Sequence, residues 1–352
     1  MRTELRRFLA FALLIPAAGA AQHPTTAADV QRILYPLADD SMRGRMTASP
    51  GEAMAARFIA AEMQRIGLTP LGDSGYFQRV PIAVVPLNPP RRGRAERVML
   101  LGSFADRDTF PAAQRRTSVN VLGLLPGTDA ALKNEIVLVD AHFDHVGVGA
   151  PVNGDSIYNG ADDDASGTTA VLEIARQMAE GPAPKRTVLF VTTTGEEAGL
   201  LGTRWFIDHP PIPLTQFVAN MEIEMIGRPD SLAGGAGKAW LTGFERSSMG
   251  ELFAAAGLDI VPDKRPEQHF FERSDNIAFA RRGIVAHTLS TFNLHADYHQ
   301  PGDDVSKVDL AHMAGVINAG ARAVRLLADG PKPAWKPGGQ PGVSAPRTPP
   351  QP

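Results

Sequence analysis

With 352 residues, 43% of them hydrophobic and 21% charged, the chain has ample material for a large core. A formal net charge of −3 leaves no basic footprint for nucleic acid. The lack of cysteine excludes disulfides and thiolate chemistry, whether nucleophilic or metal-binding.

The first residues have the layout of an export signal. Arg2, Arg6 and Arg7 precede an apolar run from Phe8 to Ala18, and Ala18-Gly19-Ala20 fits a small-residue cleavage site. The run is short for a bilayer span and no other long apolar stretch exists. Residues 1–21 are therefore expected to be a signal peptide, with a retained amphipathic anchor as the alternative. The mature protein is expected in the periplasm or outside the cell. No cysteine follows the run, so lipoprotein processing is excluded.

Two helices are expected first, over 25–38 and 50–66. In the second, Met54, Phe58, Ile59 and Met63 share a face and Gly67 follows as a stop. Alternating apolar segments at 80–85, 98–101 and 119–124 read as strands of a sheet edge. From residue 136 the pattern becomes regular. Strands are expected at 136–139, 187–193, 218–225, 239–244 and 284–290, with helices at 166–179, 198–208, 247–256, 274–281 and 308–328. Strands alternating with helices imply an α/β fold, a mainly parallel mixed sheet covered by helices on both faces. Ligands in such folds sit beyond the carboxyl ends of the strands. From Gly330 to Pro352 the chain is rich in Pro and Gly with only Trp335 to bury, so a disordered tail is expected.

The chemistry-bearing residues fall at those strand ends. His142 and Asp144 follow the 136–139 strand, and in extended chain their side chains share a side. Asp144 is thus a candidate for orienting the imidazole. Asp162-Asp163-Asp164 precede a helix. Capping and the helix dipole account for one or two of them, but a third is repelled unless a cation sits there. Glu196 and Glu197 follow the next strand. Glu222 and Glu224 interrupt an apolar one, where buried carboxylates need compensation. His299 comes far downstream. Imidazole with carboxylate and no thiolate is the ligand chemistry of a hydrolytic zinc site.

Taken together and in order, His142-Phe143-Asp144, Gly160-Ala161-Asp162-Asp163-Asp164-Ala165-Ser166-Gly167, Glu196-Glu197, Glu224-Met225-Ile226-Gly227 and His299-x-Pro-x-Asp303 resemble the zinc aminopeptidases of peptidase family M28. The likeness runs over about residues 25–330. It implies the zinc-dependent exopeptidase, phosphorylase/hydrolase-like form of the α/β fold, as one domain over 22–329. The stretch between Val80 and Glu135 is too short for the family's protease-associated insert.

The resemblance also implies roles. Asp163 would bridge two zinc ions per chain, His142 and Glu224 completing one site and Glu197 and His299 the other. Glu196 would be the general base and Asp144 the partner of His142. Glu224 stands where the family more often has aspartate, and Glu222 is its competitor. Two zinc ions, three carboxylates and one hydroxide sum to zero charge, which makes such a buried cluster tolerable. Asn276 occupies a position where the family often has histidine. His145, His287 and His295 remain outside the set, with His295 either lining the pocket or structural. The expected partner is a peptide with a free N-terminus, and the oligomeric state is left open. The competing readings are a one-zinc glutaminyl-peptide cyclase of the same fold and a receptor-like ectodomain without metals. The intact five-ligand set favours the peptidase.

Overall fold

The computed structural model describes residues 23–91 and 94–342. The signal-like segment 1–21 lies outside the described residues.

Helix α1 (Ala27–Leu37) begins with a reciprocal capping box between Thr26 and Asp29. Helix α2 (Pro50–Ile66) has Ser49 as its cap and Pro50 in its first turn, and it ends at Gly67 with φ 87°. Strands β1 (Thr69–Pro70), β2 (Phe77–Arg91), β3 (Arg94–Leu100) and β4 (Arg115–Leu125) follow, with the short helix α3 (Phe104–Arg107) between the last two. Next come β5 (Ile136–His142), a separate hairpin of β6 (Gly147–Val152) and β7 (Asp155–Tyr158), and helix α4 (Gly167–Glu180). The chain continues with β8 (Thr187–Thr193), α5 (Leu201–Asp208), β9 (Phe217–Glu224), β10 (Ala239–Leu241) and α6 (Met249–Ala255). It closes with β11 (Ile260–Pro262), α7 (Asn276–Ala280), β12 (Ala286–Ser290) and α8 (Leu310–Asp329).

The main sheet runs β11-β10-β12-β9-β5-β8-β4-β2-β3, with β1 added beside β4. Its centre, β12-β9-β5-β8, is parallel. The flank β8-β4-β2-β3 is antiparallel, as is the β10-β12 pair. This is the expected mixed α/β sheet with a parallel core. Every residue of β5 and β8 is buried, which is why both contain apolar runs, Ile136–Val139 and Val188–Val191, with polar residues only at their ends and at Asp140. Alternation along β5 divides the core. Val137, Val139 and Ala141 pack under α1, α2, α4 and α8, while Ile136 and Leu138 pack with Phe206 of α5 and Phe279 of α7. Among the described residues no helix is long and apolar enough to cross a membrane.

Two expectations need correction. The helix expected from 198 starts at Leu201, because the Gly195–Gly199 turn first carries two glutamates into the interior. The tail from 330 is not unpacked over residues 331–342. Trp335 bridges Ser247, its Nε1 donates to the Gly283 carbonyl at 3.0 Å, and its ring stands edge-on to Phe271. One large aromatic, with a Ser248 N–H to Ala334 carbonyl bond and an Ala334 N–H to Ser248 hydroxyl bond, offsets the ordering cost that composition alone made look prohibitive.

Candidate metal centre

The parallel strands end side by side and deliver their next residues to one hollow. His142 is the last residue of β5 and Glu224 the last of β9. The turn after β8 supplies Glu196 and Glu197, the irregular turn 161–166 supplies Asp163, and the loop after β12 supplies His299.

Asp163 lies at the middle. Its Oδ1 is 3.2 Å from His142 Nε2, and Glu224 Oε1 is 4.0 Å from that same nitrogen. Its Oδ2 is 3.1 Å from His299 Nε2, which is 2.9 Å from Glu197 Oε1. All five residues singled out as ligands are thus brought together. They form two groups that share Asp163, with the donor atoms of each group within 4.8 Å of one another.

The neighbouring aspartates serve the backbone. Asp164 Oδ1 accepts the N–H groups of Gly167 and Met225 at 2.9 and 3.0 Å. Asp162 Oδ1 accepts Gly227 N–H at 2.7 Å, and its Oδ2 faces His295 Nε2 at 3.0 Å. That pairing makes His295 structural. Asp303 in turn accepts the N–H groups of both Asp162 and Asp163 at 3.0 Å. Only the middle carboxylate of the three is left to face the centre. Gly160 shapes the entry to this turn at φ 55°. A Cβ there would stand 2.1 Å from the Asp163 carbonyl oxygen and 2.5 Å from the His145 ring. Gly160→Ala is expected to lower zinc affinity by about tenfold or more, read by titration of the metal-stripped protein.

Glu222 is not a competitor for Glu224. Its carboxylate is occupied by the Ser274 and Thr288 hydroxyls and the backbone N–H groups of Asp275 and Asn276. Asn276 fills that supporting place and donates its side-chain amide to the Phe271 carbonyl. The expected contact between the Asp144 carboxylate and His142 is also corrected. His142 Nδ1 faces the Asp144 carbonyl oxygen at 3.1 Å, while the nearer carboxylate oxygen is 3.9 Å away. The carboxylate is engaged by the Thr47 hydroxyl at 2.7 Å and the Glu196 N–H at 3.0 Å.

The electrostatics call for positive charge. Burial raises Glu196 well above the usual carboxylate range, and Glu197 and Glu224 add to the rise against the opposing His142. Burial, then Glu222, pushes Glu224 up to about 8. Burial pulls on His299 in the opposite direction, but Asp163 and Glu197 outweigh it and hold the imidazole near 10. Asp163 and Glu197 go the other way: against the burial that would raise them, the facing histidines hold Asp163 well below the usual carboxylate range and Glu197 at about 2. His142 Nε2, His299 Nε2 and Asp163 Oδ2 are buried without an aligned hydrogen bond although they stand at contact distance. Misaligned donors and acceptors converging on one point are what groups sharing a cation look like, and the donor set suits zinc.

Two further residues belong to the centre, one left outside the expected set and one without any sequence signal. His145, three residues past His142, is fully buried with Nδ1 3.1 Å from Glu197 Oε1 and 3.7 Å from Asp163 Oδ2. Its place in the same loop as His142 was the available signal. Arg45 is also fully buried. Its guanidinium donates to the carbonyls of Leu37, Phe143, Asn159 and Gly160 at 2.7–2.9 Å. It ties the His142 loop to the Asp163 turn, and nothing local marks it.

A cleft opens on Asp163, Glu196 and Glu224 and is walled by Trp240, Phe270, Phe292 and Tyr298. Among solved structures, an aminopeptidase from Aneurinibacillus sp. strain AM-1 matches with a TM-score of 0.62 at 17% identity, covering 89% of this chain and 97% of that one. BSAP, a zinc aminopeptidase from Bacillus subtilis, matches with a TM-score of 0.61 at 17% identity, covering 87% and 96%. These likenesses carry the fold. A probable leucine aminopeptidase 2 of Aspergillus oryzae is 27% identical over 234 residues, which is 60% of this chain and 44% of the relative. The chain thus spans less than half the length of that relative. The model of peptidase family M28 matches residues 120–323, more than half of the chain and the whole stretch from β5 to His299. The shared carboxylate, the order of its partners and this match agree, and the chain belongs to peptidase family M28.

Proposed function

We propose that the chain is an exported aminopeptidase working with two zinc ions, one held by His142, Asp163 and Glu224 and the other by Asp163, Glu197 and His299. The reading is carried by one carboxylate, Asp163, shared by two histidine–carboxylate groups beneath a cleft that also holds Glu196. Zinc in these places supplies a Lewis acid for the peptide carbonyl and a water that ionises near pH 7. Glu196, which lines the same cleft, would be the group placed to take up a proton and hand it to the leaving amine. Asp144 positions this base through its backbone N–H, and its carbonyl oxygen fixes the ring of His142. The names of the zinc aminopeptidase neighbours and the layout of residues 1–21 support the metal and the export respectively.

The aromatic walls of the cleft suit a bulky apolar side chain. Leucyl and phenylalanyl chromogenic amides are therefore expected to be cleaved at least about tenfold faster than glycyl amides. Their N-acetylated forms should resist, and a chelator should abolish release. Equal rates on acetylated substrates would remove the aminopeptidase reading. No release at all from the zinc-loaded chain would favour cyclisation of an N-terminal glutamine on the same fold.

A further inference from the structure

We infer that His145 is a fourth ligand of the Asp163–Glu197–His299 group, so that this group is closed by protein alone and the His142 group keeps the open position. The inference rests on the two-zinc reading above and goes beyond its five ligands.

Geometry carries it. Zinc lies about 2.0–2.1 Å from nitrogen and oxygen ligands, so the edges of a tetrahedral site measure about 3.3 Å. His145 Nδ1 is 3.1 Å from Glu197 Oε1 and 3.7 Å from Asp163 Oδ2, and His299 Nε2 is 2.9 and 3.1 Å from the same two oxygens. These four edges bracket the tetrahedral value, and the four donor atoms all lie within 4.8 Å of one another. The other group has three donors, with edges of 3.2 Å and 4.0 Å from His142 Nε2. Three protein ligands with a vacant corner are the layout of a catalytic zinc, and four are that of a structural one.

The imidazole has no competing use. Both ring nitrogens of His145 are buried without a hydrogen bond. Buried structural imidazoles are bonded, as His287 is to the Ser247 hydroxyl and the Thr242 carbonyl at 2.7 Å each. The residue is also held in place, because Gly160 packs against the ring and the His145 backbone N–H donates to the Arg45 carbonyl at 3.3 Å. The cleft agrees with the asymmetry. Its lining includes Glu224 of the three-donor group together with the shared Asp163 and Glu196, while His142, His145, Glu197 and His299 are not part of it. Substrate thus meets the three-donor group, and the four-donor group fills first and anchors Asp163.

The test is zinc titration of the metal-stripped, ¹⁵N-histidine-labelled full chain, followed at the ring nitrogens. Three rings are expected to become zinc-bound, one through Nδ1 and two through Nε2. The Nδ1 ring and one Nε2 ring should respond to the first equivalent and the remaining Nε2 ring to the second. In calorimetry, His145→Gln is expected to weaken the tighter site by about 100-fold or more and leave the weaker one within a few-fold. Two zinc-bound rings, both through Nε2, in a chain that still shows chelator-sensitive hydrolysis would overturn the role of His145 and leave the proposed function standing. No zinc-bound ring would overturn both. The labelled wild-type chain decides the matter even if the variant does not fold.

Discussion

Glu196→Gln is expected to lower the rate of peptide hydrolysis by on the order of 10²–10⁴ while the protein keeps the metal content of the wild type. Glutamine has the same shape and takes no proton, so the change removes the base and little else. The backbone at residue 196 is held by Asp144 Oδ1 whatever the side chain. The neighbouring Glu197 faces His145 and His299 rather than the cleft. The two adjacent glutamates should therefore separate cleanly by experiment. Glu196→Gln should lose kcat with KM little changed, because the aromatic walls are untouched. Glu197→Gln should lose zinc. Steady-state kinetics with metal analysis on both variants checks this, and near wild-type turnover in Glu196→Gln would reject the base assignment.

The parts of this site that could be read from sequence are those tied to local pattern. His142, Glu196, Glu197 and Glu224 each stand at the end of an apolar strand, and the alternation of strands with helices says those ends lie together. The carboxylate triplet before α4 stood out because a helix N-terminus does not need three. Choosing Asp163 over its neighbours required the resemblance, since the division of labour depends on Gly227, Met225 and His295, all more than 60 residues away. Glu222 and Glu224 looked equivalent for the same reason. What separates them is the set of donors that Ser274, Asp275, Asn276 and Thr288 bring to Glu222. The packed segment 331–342 was missed because its partners, Ser247 and Gly283, leave no trace in its own composition.

Arg45 is the extreme case of long-range meaning, and its replacement has the largest expected effect on stability. In sequence it sits in a short polar connection between two helices, where arginine is ordinarily solvated. In the fold it is fully buried. Burial draws its pKa down to about 10, against the pull of Asp163, Asp303, Asp144 and Asp164, so it stays charged at neutral pH. Its charge offsets part of the carboxylate excess, and its four hydrogen bonds join the segments that carry His142 and Asp163. Arg45→Met would fill much of the volume but leave the carbonyls of Leu37, Phe143 and Asn159 without that donor, while the Gly160 carbonyl would keep only the Ala165 N–H at 3.2 Å. The expected loss is about 3–5 kcal/mol, the scale for breaking a buried charged network. That is a large share of the roughly 5–15 kcal/mol that holds a folded domain. Arg45→Lys should recover little, because a single ammonium on a flexible stem does not reproduce the planar fork that reaches Leu37 on one side and Gly160 on the other. Urea unfolding of both variants measures the loss, and zinc titration of the folded fraction measures its effect on the centre. A shift in the unfolding midpoint worth less than about 1 kcal/mol in Arg45→Met would show that the loops hold their places without the clamp. The expected result instead is that zinc affinity and stability fall together, because the same four carbonyls fix both.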